Sequence, residues 1–291
     1  MLKFVHLTDL HLSNPAERPD GYDTHATTRR ALDHAAEMFP DMDFAVITGD
    51  IANWGEAVAY ERMEALLRDF PHKTYLMIGN HDNRANFFAR FGDRHPYALP
   101  YVQYVDDRDG LRLLFLDSQT PGTHGGAFSQ DRLDWIAARL AETDREVLLF
   151  MHHHPTAIGA PSMDAKGLMN WPAFHEVLRP HARKIRHIFH GHCHTPLAGS
   201  VLGIPFTGLR SMGPQAFTDL KIEQACRWVA QPHYGVVLVG PDSVVTHQIE
   251  FAYAGPLMVR DRQKFTDFIA LCAARGVEVP TEDPAPMDPV R

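Results

Sequence analysis

The order of apolar and amphipathic segments is the feature that most constrains the fold of this 291-residue chain. Short apolar runs at residues 4–8, 44–48 and 73–78 are rich in aliphatic and β-branched side chains, which predicts buried strands. Between them, residues 27–39 and 56–70 repeat apolar side chains every three or four positions, and each run ends before a proline, which predicts helices. Strands that alternate with helices in this way are typical of βαβ units, so we expect an α/β fold with a largely parallel sheet.

The rest of the chain continues this alternation and then changes to strands and turns. A hairpin is predicted where residues 101–105 and 111–116 flank Asp109-Gly110. The further predicted elements are helices at 129–140, 172–178 and 261–274 and strands at 147–151, 185–189, 234–239 and 244–251. Residues 280–291 contain four prolines and few large apolar side chains, so we expect a tail there rather than part of the core.

Five short polar motifs follow the predicted strands. They are Asp9-Leu10-His11, Gly49-Asp50, Gly79-Asn80-His81-Asp82, His152-His153-His154-Pro155 and Gly191-His192-Cys193-His194. Because ligand sites in open α/β sheets lie at the carboxyl ends of the strands, we expect the five motifs to converge. Strand side chains alternate in direction, so donors two residues apart, such as Asp9 and His11, lie on one face.

The donor atoms in these motifs suit first-row transition metals. Two carboxylates, one amide carbonyl and four imidazoles are too many for one four-coordinate ion. They fit two ions that share a carboxylate and keep positions open for water and substrate. Mixed oxygen and nitrogen ligands without thiolate favour Mn, Fe, Zn or Co and do not distinguish among them.

This ordered set of motifs, which covers residues 9–194, resembles the calcineurin-like metallophosphoesterase family. Within that family the chain is most similar to bacterial class III phosphodiesterases, which hydrolyse cyclic nucleotides and glycerophosphodiesters. Residues 116–118, Pro121-Gly122 and residues 252–256 add to this likeness. The resemblance implies a four-layer α/β/β/α sandwich with a dinuclear metal site at the carboxyl ends of the strands.

The resemblance also implies the ligands of each ion. The first ion would take Asp9, His11, Asp50 and His194, and the second would take Asp50, Asn80, His153 and His192. The family ligand lies two residues before the proline of its motif, which here selects His153. Three histidines precede Pro155, however, and His152 remains the alternative.

The mechanism that this site implies follows from charge. Two ions about 4 Å apart lower the pKa of a bridging water, and its hydroxide attacks phosphorus in line with the leaving alcohol. His81 is expected beside the substrate phosphate, where it would protonate the leaving group while Asp82 holds its ring.

Several polar residues near the motifs are candidates for contacts with the substrate. Asn53, Arg84 and His124 lie just after strand-end motifs, and His154 lies within one. The loops around Trp54 and at residues 120–128 and 156–170 are expected to determine which diester is hydrolysed.

Composition restricts the classes of partner. The chain has 36 acidic and 28 basic residues and a formal net charge of −8, which disfavours sequence-independent nucleic-acid binding.

No run approaches the roughly 18 apolar residues of a membrane-spanning helix, and residues 1–11 lack the apolar core of a signal peptide. The three cysteines have no CxxC spacing, which fits a reducing compartment. We therefore expect a cytoplasmic enzyme that acts on a small phosphodiester, without a membrane partner.

The expected domain organisation is a catalytic domain over residues 1–255, followed by a C-terminal helix and proline-rich tail over 256–291. Because class III relatives often associate, the second segment is our candidate for a homo-oligomer contact. Other activities within the family, namely a phosphomonoesterase, a nuclease or a nucleotide pyrophosphatase, remain open. A non-catalytic binding scaffold is a further alternative, but its mark would be lost ligands, and every matched position is kept.

Overall fold

The computed structural model describes residues 1–98, 100–256 and 268–278. The chain forms two compact units, residues 1–253 and 254–291, and all five motifs lie in the first. The expected domain boundary after residue 255 stays a prediction. Residues 280–291 and the first part of the helix expected at 261–274 lie outside the described residues. None of the helices in the described ranges is long and apolar enough to cross a membrane.

Helices and strands alternate through the first two thirds of the chain. The helices are α1 (Thr24–Met38), α2 (Ala57–Asp69), α3 (Arg84–Phe91), α4 (Gln130–Ala141), α5 (Pro161–Asp164), α6 (Trp171–Leu178) and, in the second unit, α7 (Phe268–Ala273). The strands are β1 (Leu2–Leu7), β2 (Phe44–Ile47), β3 (Thr74–Leu76), β4 (Tyr104–Arg108), β5 (Leu111–Phe115), β6 (Glu146–Phe150), β7 (Ile185–His190), β8 (Leu197–Val201), β9 (Ile204–Gly208), β10 (Gln215–Phe217), β11 (Cys226–Trp228), β12 (Tyr234–Val239) and β13 (Val244–Ile249).

The strands form two main sheets with parallel centres. The first has the order β13-β12-β1-β2-β3, in which β1, β2 and β3 are parallel. The second has the order β4-β5-β6-β7-β9-β8, in which β5, β6, β7 and β9 are parallel. Strands β10 and β11 form a separate hairpin. The parallel centres confirm the βαβ organisation expected from the alternating segments.

An aromatic layer holds the two sheets together. Phe4 of the first sheet stacks on Phe44 at 5.0 Å between ring centroids, and its edge meets Phe189 of the second sheet at 5.3 Å. Phe150 stacks on Phe189 at 5.2 Å. All four rings are fully buried, and burying a ring of this size stabilises the fold by about 1.5–3 kcal/mol.

Helices cover the outer face of each sheet. The cluster on the first sheet includes Leu32 of α1, Met63 of α2 and Phe87 of α3. The cluster on the second sheet includes Ile136 of α4 and Phe174 of α6. Together with the aromatic layer, these clusters confirm the four-layer α/β/β/α sandwich.

Several elements lie outside the predictions from the sequence. They are α3, α5 and the four short strands β8, β9, β10 and β11. The structure shows that α3 is capped by Asn83, whose side chain accepts a hydrogen bond from the Asn86 N–H, and that it buries Phe87 and Phe91. This helix continues directly from the Gly79-Asn80-His81-Asp82 motif, so it fixes one side of the site.

Candidate metal centre

The five motifs follow β1, β2, β3, β6 and β7, at the carboxyl ends of parallel strands in both sheets. Their donor atoms form two clusters, and within each cluster the atoms lie no more than 4.8 Å apart: Asp9, His11, Asp50 and His194 in the first, and His152, His153 and His192 in the second. The amide oxygen of Asn80 lies 2.8 Å from Nδ1 of His192. The structure therefore brings together every residue expected as a ligand.

The backbone is unusual at these positions. Positive φ angles occur at five of the expected ligands, Asp9, His11, Asp50, His192 and His194, with values of 47° to 67°. Residues other than glycine seldom adopt this conformation, and such strain persists where the surrounding structure enforces it, most often at functional sites. The strain thus points to a function for these strand ends that is separate from folding.

Hydrogen bonds determine which imidazole nitrogens face the first cluster. Nδ1 of His11 lies 3.0 Å from Oδ1 of Asn53, and Nδ1 of His194 lies 2.6 Å from the Pro214 carbonyl oxygen. Each Nδ1 therefore carries the hydrogen in the neutral ring, and each Nε2 has a lone pair. The two Nε2 atoms are 3.1 Å apart, and Nε2 of His194 is 3.2 Å from Oδ1 of Asp9. Acceptor atoms that converge in this way can bind a cation between them.

In the second cluster, a hydrogen bond at Nδ1 likewise orients an imidazole ring so that its Nε2 faces the other donors. Nδ1 of His152 donates to the Thr48 carbonyl oxygen at 2.8 Å. Its Nε2 faces Oδ1 of Asn80 at 3.1 Å and Oδ2 of Asp50 at 3.4 Å. The same Asp50 oxygen is 3.7 Å from Nε2 of His11, so Asp50 lies between the two clusters.

The carboxylates of Asp50 and Asp9 favour positive charge at His152 and His194, whose pKa values they raise. Burial lowers the pKa of His152, but Asp50, Asp9 and the Thr48 carbonyl oxygen together raise that pKa to about 9. Burial raises the pKa of Asp9, but His194 and His152 together lower it to about 2. Metal ions displace the protons of such ligands when they bind, so the same acceptor atoms that attract a proton can hold a cation.

The structure places both His152 and His153 in the second cluster but gives their rings different partners. Nδ1 of His153 lies 2.8 Å from Oγ of Ser118, and its Nε2 lies 3.1 Å from the His124 carbonyl oxygen. Both ring nitrogens thus have partners outside the cluster, whereas Nε2 of His152 points at Asp50. His152 is therefore the better placed of the two histidines to share an ion with Asp50.

The structure also corrects the role of Asp82. Its carboxylate accepts hydrogen bonds from three backbone N–H groups and from the hydroxyl of Tyr60, at 2.8 to 3.1 Å. It does not hold the His81 ring; Nδ1 of His81 instead donates to the Asn53 carbonyl oxygen at 2.8 Å. Burial and the nearby Asp50 raise the pKa of Asp82 to about 7. Asp82 is therefore a structural anchor of the motif.

Asn53 lines the cavity beside the two clusters, and it also orients two other residues of the site. Its side chain holds His11, and its carbonyl oxygen holds His81. The backbone N–H of His81 donates to Oδ1 of Asp50 at 2.8 Å. Asn53 thus orients both His11, an expected ligand, and His81, the expected proton donor.

Arg84 and His154, which the sequence suggested as substrate contacts, are instead directed at other side chains of the protein. Nε and one terminal nitrogen of Arg84 bind the two carboxylate oxygens of Asp117 at 2.8 and 3.0 Å. His154 is buried, with Nδ1 3.5 Å from Sγ of Cys193 and Nε2 3.6 Å from Oδ1 of Asp164. Neither side chain lines the cavity beside the two clusters, so both have a supporting role.

A cavity of about 290 Å³ lies against the two clusters. His81, His124 and Lys166 line it, and Trp54, which is 71% exposed, lies at its mouth. The ligand residues in its lining are His11, Asp50, Asn80, His192 and His194. Sequence reasoning placed Lys166 only within a loop expected to affect substrate choice. The order of residues in that loop carries no periodic signal that would single out the lysine.

The sequence matches the calcineurin-like phosphoesterase family over residues 2–196. The chain belongs to this family. It is 36% identical, over 88% of its own length and 95% of the relative, to the probable cyclic nucleotide phosphodiesterase RPA0124 of Rhodopseudomonas palustris. It is 27% identical, over 86% of its length and 94% of the relative, to the 3′,5′-cyclic adenosine monophosphate phosphodiesterase CpdA of Pseudomonas aeruginosa.

The fold is similar to that of a dimetal phosphatase from Danio rerio, with a TM-score of 0.62 and 15% identity over 85% of this chain and 95% of that one. Calcineurin-like phosphoesterases use a dinuclear metal site, and the two clusters around Asp50 fit such a site. The fit rests on the ring nitrogens and oxygens that face one another in the two clusters.

Proposed function

We propose that the chain is a metal-dependent hydrolase of small phosphodiesters and that 3′,5′-cyclic nucleotides are its substrate class. The observation that carries the proposal is the pair of acceptor clusters that share Asp50 and border a cavity. The names of the relatives from Rhodopseudomonas palustris and Pseudomonas aeruginosa support the substrate class.

We propose that Asp50 bridges two ions. The other ligands would be Asp9, His11 and His194 for the first ion and Asn80, His152 and His192 for the second. The bound ions would supply an activated water and neutralise the phosphoryl oxygens. The mixed oxygen and nitrogen donors favour Mn, Fe, Zn or Co.

His81 would be the proton donor for the leaving alcohol. Because its Nδ1 donates to the Asn53 carbonyl oxygen, its Nε2 is left for the cavity that the residue lines. A protonated Nε2 can deliver its hydrogen to the leaving oxygen as the P–O bond breaks. Asn53 would keep the ring in that orientation, which is the role that the sequence had assigned to Asp82.

The cavity favours a small diester with a planar group. Its volume lies near the lower end of the roughly 300–1,000 Å³ of ligand pockets, and the net charge of −8 disfavours a nucleic-acid polymer. The exposed indole of Trp54 offers a surface on which a nucleobase can stack. A glycerophosphodiester has no such group and is the second candidate.

We also propose that the enzyme acts in the cytoplasm and forms a homo-oligomer through residues 256–291. The three free cysteines support the compartment. Sedimentation velocity checks the oligomer, since a monomer at micromolar concentration would contradict it.

The activity is tested with chelator-treated protein to which manganese is added back. We expect bis(p-nitrophenyl) phosphate to be hydrolysed faster than p-nitrophenyl phosphate, and only with metal. Asp50→Asn should lose the activity and both ions, whereas Asp93→Asn, at an exposed position, should retain them. Monoester preference would indicate a phosphatase, and the absence of activity with any metal would favour the scaffold alternative.

The substrate class is tested by comparing 3′,5′-cyclic AMP with glycerophosphocholine. Trp54→Ala should raise the KM for the cyclic nucleotide by about 10-fold or more, since base stacking on an aromatic ring contributes about 1–3 kcal/mol. The KM for the glycerophosphodiester should not change. An equal effect on both substrates would contradict a nucleobase contact.

A further inference from the structure

Lys166 is a positively charged residue of the cavity that the proposed mechanism does not use. It lines the cavity together with Asp50, Asn80 and His192, and it is partly buried. Among the described residues it forms no ion pair. The other cationic side chain of the lining, Arg227, is paired with Asp20.

The backbone on both sides of Lys166 is held in place. The carboxylate of Asp164 accepts hydrogen bonds from the N–H groups of Ile158 and Gly159 at 2.8 and 3.0 Å. Beyond the lysine, the Gly167 carbonyl oxygen accepts from the Gly126 N–H at 2.9 Å. Lys166 itself donates its backbone N–H to the Met163 carbonyl oxygen at 3.0 Å. The side chain therefore projects from a braced segment.

Two glycines bring this segment close to the metal centre. A Cβ atom at residue 167 would lie 2.2 Å from Nε2 of His154, and one at residue 126 would lie 2.3 Å from Nδ1 of His153. Both clashes involve buried rings, so only glycine permits these approaches. His153 and His154 thus form the base on which the Lys166 segment rests.

We infer that Lys166 is a substrate-binding residue whose ammonium group contacts a phosphoryl oxygen of the bound diester. The inference rests on the proposed function and adds a residue to it. A diester has one negative charge, and attack of hydroxide on phosphorus adds a second before the leaving alcohol departs with its proton. A cation placed at the reacting phosphate therefore stabilises the transition state more than the bound substrate.

The charges around the ammonium agree with this position. Burial lowers the pKa of Lys166, and Cys193 and Asp50 act in the opposite direction. Burial also lowers the pKa of His124, and the charges of His81 and Lys166 lower it further. Lys166 therefore lies within electrostatic reach of the lining residues on the side of the second cluster.

The first readout is the binding of inorganic phosphate to the manganese-loaded protein by isothermal titration calorimetry. Lys166→Met should raise the dissociation constant for phosphate by about 10-fold or more, because hydrogen bonds to charged groups contribute about 1.5–3 kcal/mol. Lys166→Arg, which keeps the charge, should restore part of the affinity. Lys73→Met is the matched control, because that ammonium pairs with Asp106 outside the cavity.

The second readout is the hydrolysis of bis(p-nitrophenyl) phosphate by the same variants. Lys166→Met should lower kcat/KM by about 10- to 100-fold, with a part of the loss in kcat. The metal content by mass spectrometry and the melting temperature should equal those of the unsubstituted protein. A loss of metal, or phosphate affinity and kcat/KM unchanged by Lys166→Met, would overturn the inference.

The two proposals can fail separately. If the unsubstituted protein hydrolyses no diester with any metal, the proposed function is wrong, whereas phosphate binding still decides the role of Lys166. If the diester is hydrolysed but Lys166→Met binds phosphate normally, only the inference about Lys166 is wrong.

Discussion

His152 and His153 are adjacent in the chain but have different hydrogen-bond environments. Nδ1 of His152 is held by the Thr48 carbonyl oxygen, which leaves Nε2 as the atom that faces Asp50. Nδ1 and Nε2 of His153 contact Ser118 and the His124 carbonyl oxygen. A metal-binding histidine commonly donates its second ring N–H to a carbonyl or carboxylate oxygen, and His152 has that arrangement.

This difference predicts opposite results for two alanine substitutions. His152→Ala should remove one of the two ions and lower kcat/KM by more than the roughly 10- to 100-fold that loss of a supporting residue costs. His153→Ala should retain both ions and lower the free energy of unfolding, because it empties a buried site. Metal content by mass spectrometry and urea denaturation measure the two effects.

The two variants are matched, since each removes one buried imidazole from the same motif. Loss of an ion from His153→Ala with both ions retained in His152→Ala would reverse our assignment. Loss of one ion from both would indicate that His153 acts on the second cluster through Ser118 or the His124 backbone.

For individual residues, the sequence predicts the metal ligands better than it predicts the hydrogen-bond partners that orient them. Asp9, His11 and Asp50 could be found because each follows a strand, and strand ends meet at one edge of a sheet. The partner of His81 could not be found, because Asn53 reaches it through a backbone oxygen and any residue type has one. Lys166 could not be found either, since its place depends on loop packing distant in sequence.

The loops that leave β2 and β3 are joined by one carboxylate. Asp82, in the loop after β3, accepts hydrogen bonds from the N–H groups of Ile51 and Ala52 in the loop after β2. It also accepts from the hydroxyl of Tyr60 on α2, which in turn accepts from the Asn83 N–H at 2.7 Å. The relative position of Asp50 and Asn80 thus depends on this connection.

Tyr60→Phe tests this connection with the loss of a single oxygen. We expect the free energy of unfolding to fall by about 1–3 kcal/mol, because Asp82 and the Asn83 N–H lose a partner. The affinity for the second ion should fall as well, by up to about 10- to 100-fold. Tyr97→Phe is the control, because the Tyr97 hydroxyl is buried without a hydrogen-bond partner among the described residues. Equal effects of the two substitutions on metal affinity would contradict the role of Asp82.

Elements with regular periodicity could be predicted, and short elements could not. Helix α2 follows the 3.6-residue pattern of its buried face, and strand β2 is a short apolar run that is buried throughout. Strands β8 and β9 contain Gly199 and Pro205, which weaken the strand signal, and pairing with the rest of the sheet stabilises them. Helix α3 has a signal in its sequence, since Asn83 is a favourable N-cap and Phe87 and Phe91 are four residues apart.

Across the whole molecule, histidines are buried at sites other than the metal centre. His187 and His233 are 6% and 0% exposed. Nε2 of His187 contacts the hydroxyl of Thr207 at 2.7 Å, and Nε2 of His233 accepts from the Arg210 N–H at 3.1 Å. Burial lowers the pKa of each to about 4, with smaller contributions from His190 and Arg210 respectively.

These groups predict that acid destabilises the metal-free protein. Below a pH of about 6.5 the unfolded chain takes up a proton at each histidine, but the folded chain does not until the pH approaches 4. The free energy of unfolding should therefore fall as the pH decreases through this interval. Each such histidine contributes a slope of up to about 1.4 kcal/mol per pH unit. Urea denaturation in the presence of a chelator measures the slope without a contribution from metal release.

A single substitution can separate this effect from the titration of carboxylates. His187→Phe keeps an aromatic ring against Phe189, which the imidazole stacks on at 4.4 Å, but cannot take up a proton. The slope between pH 6.5 and 4 should therefore decrease by about 1.4 kcal/mol per pH unit, even though the bond to Thr207 is lost at every pH. His247→Phe, at an exposed position of β13, is the control for the added apolar ring. An unchanged slope in His187→Phe would mean that this imidazole is already protonated in the folded chain.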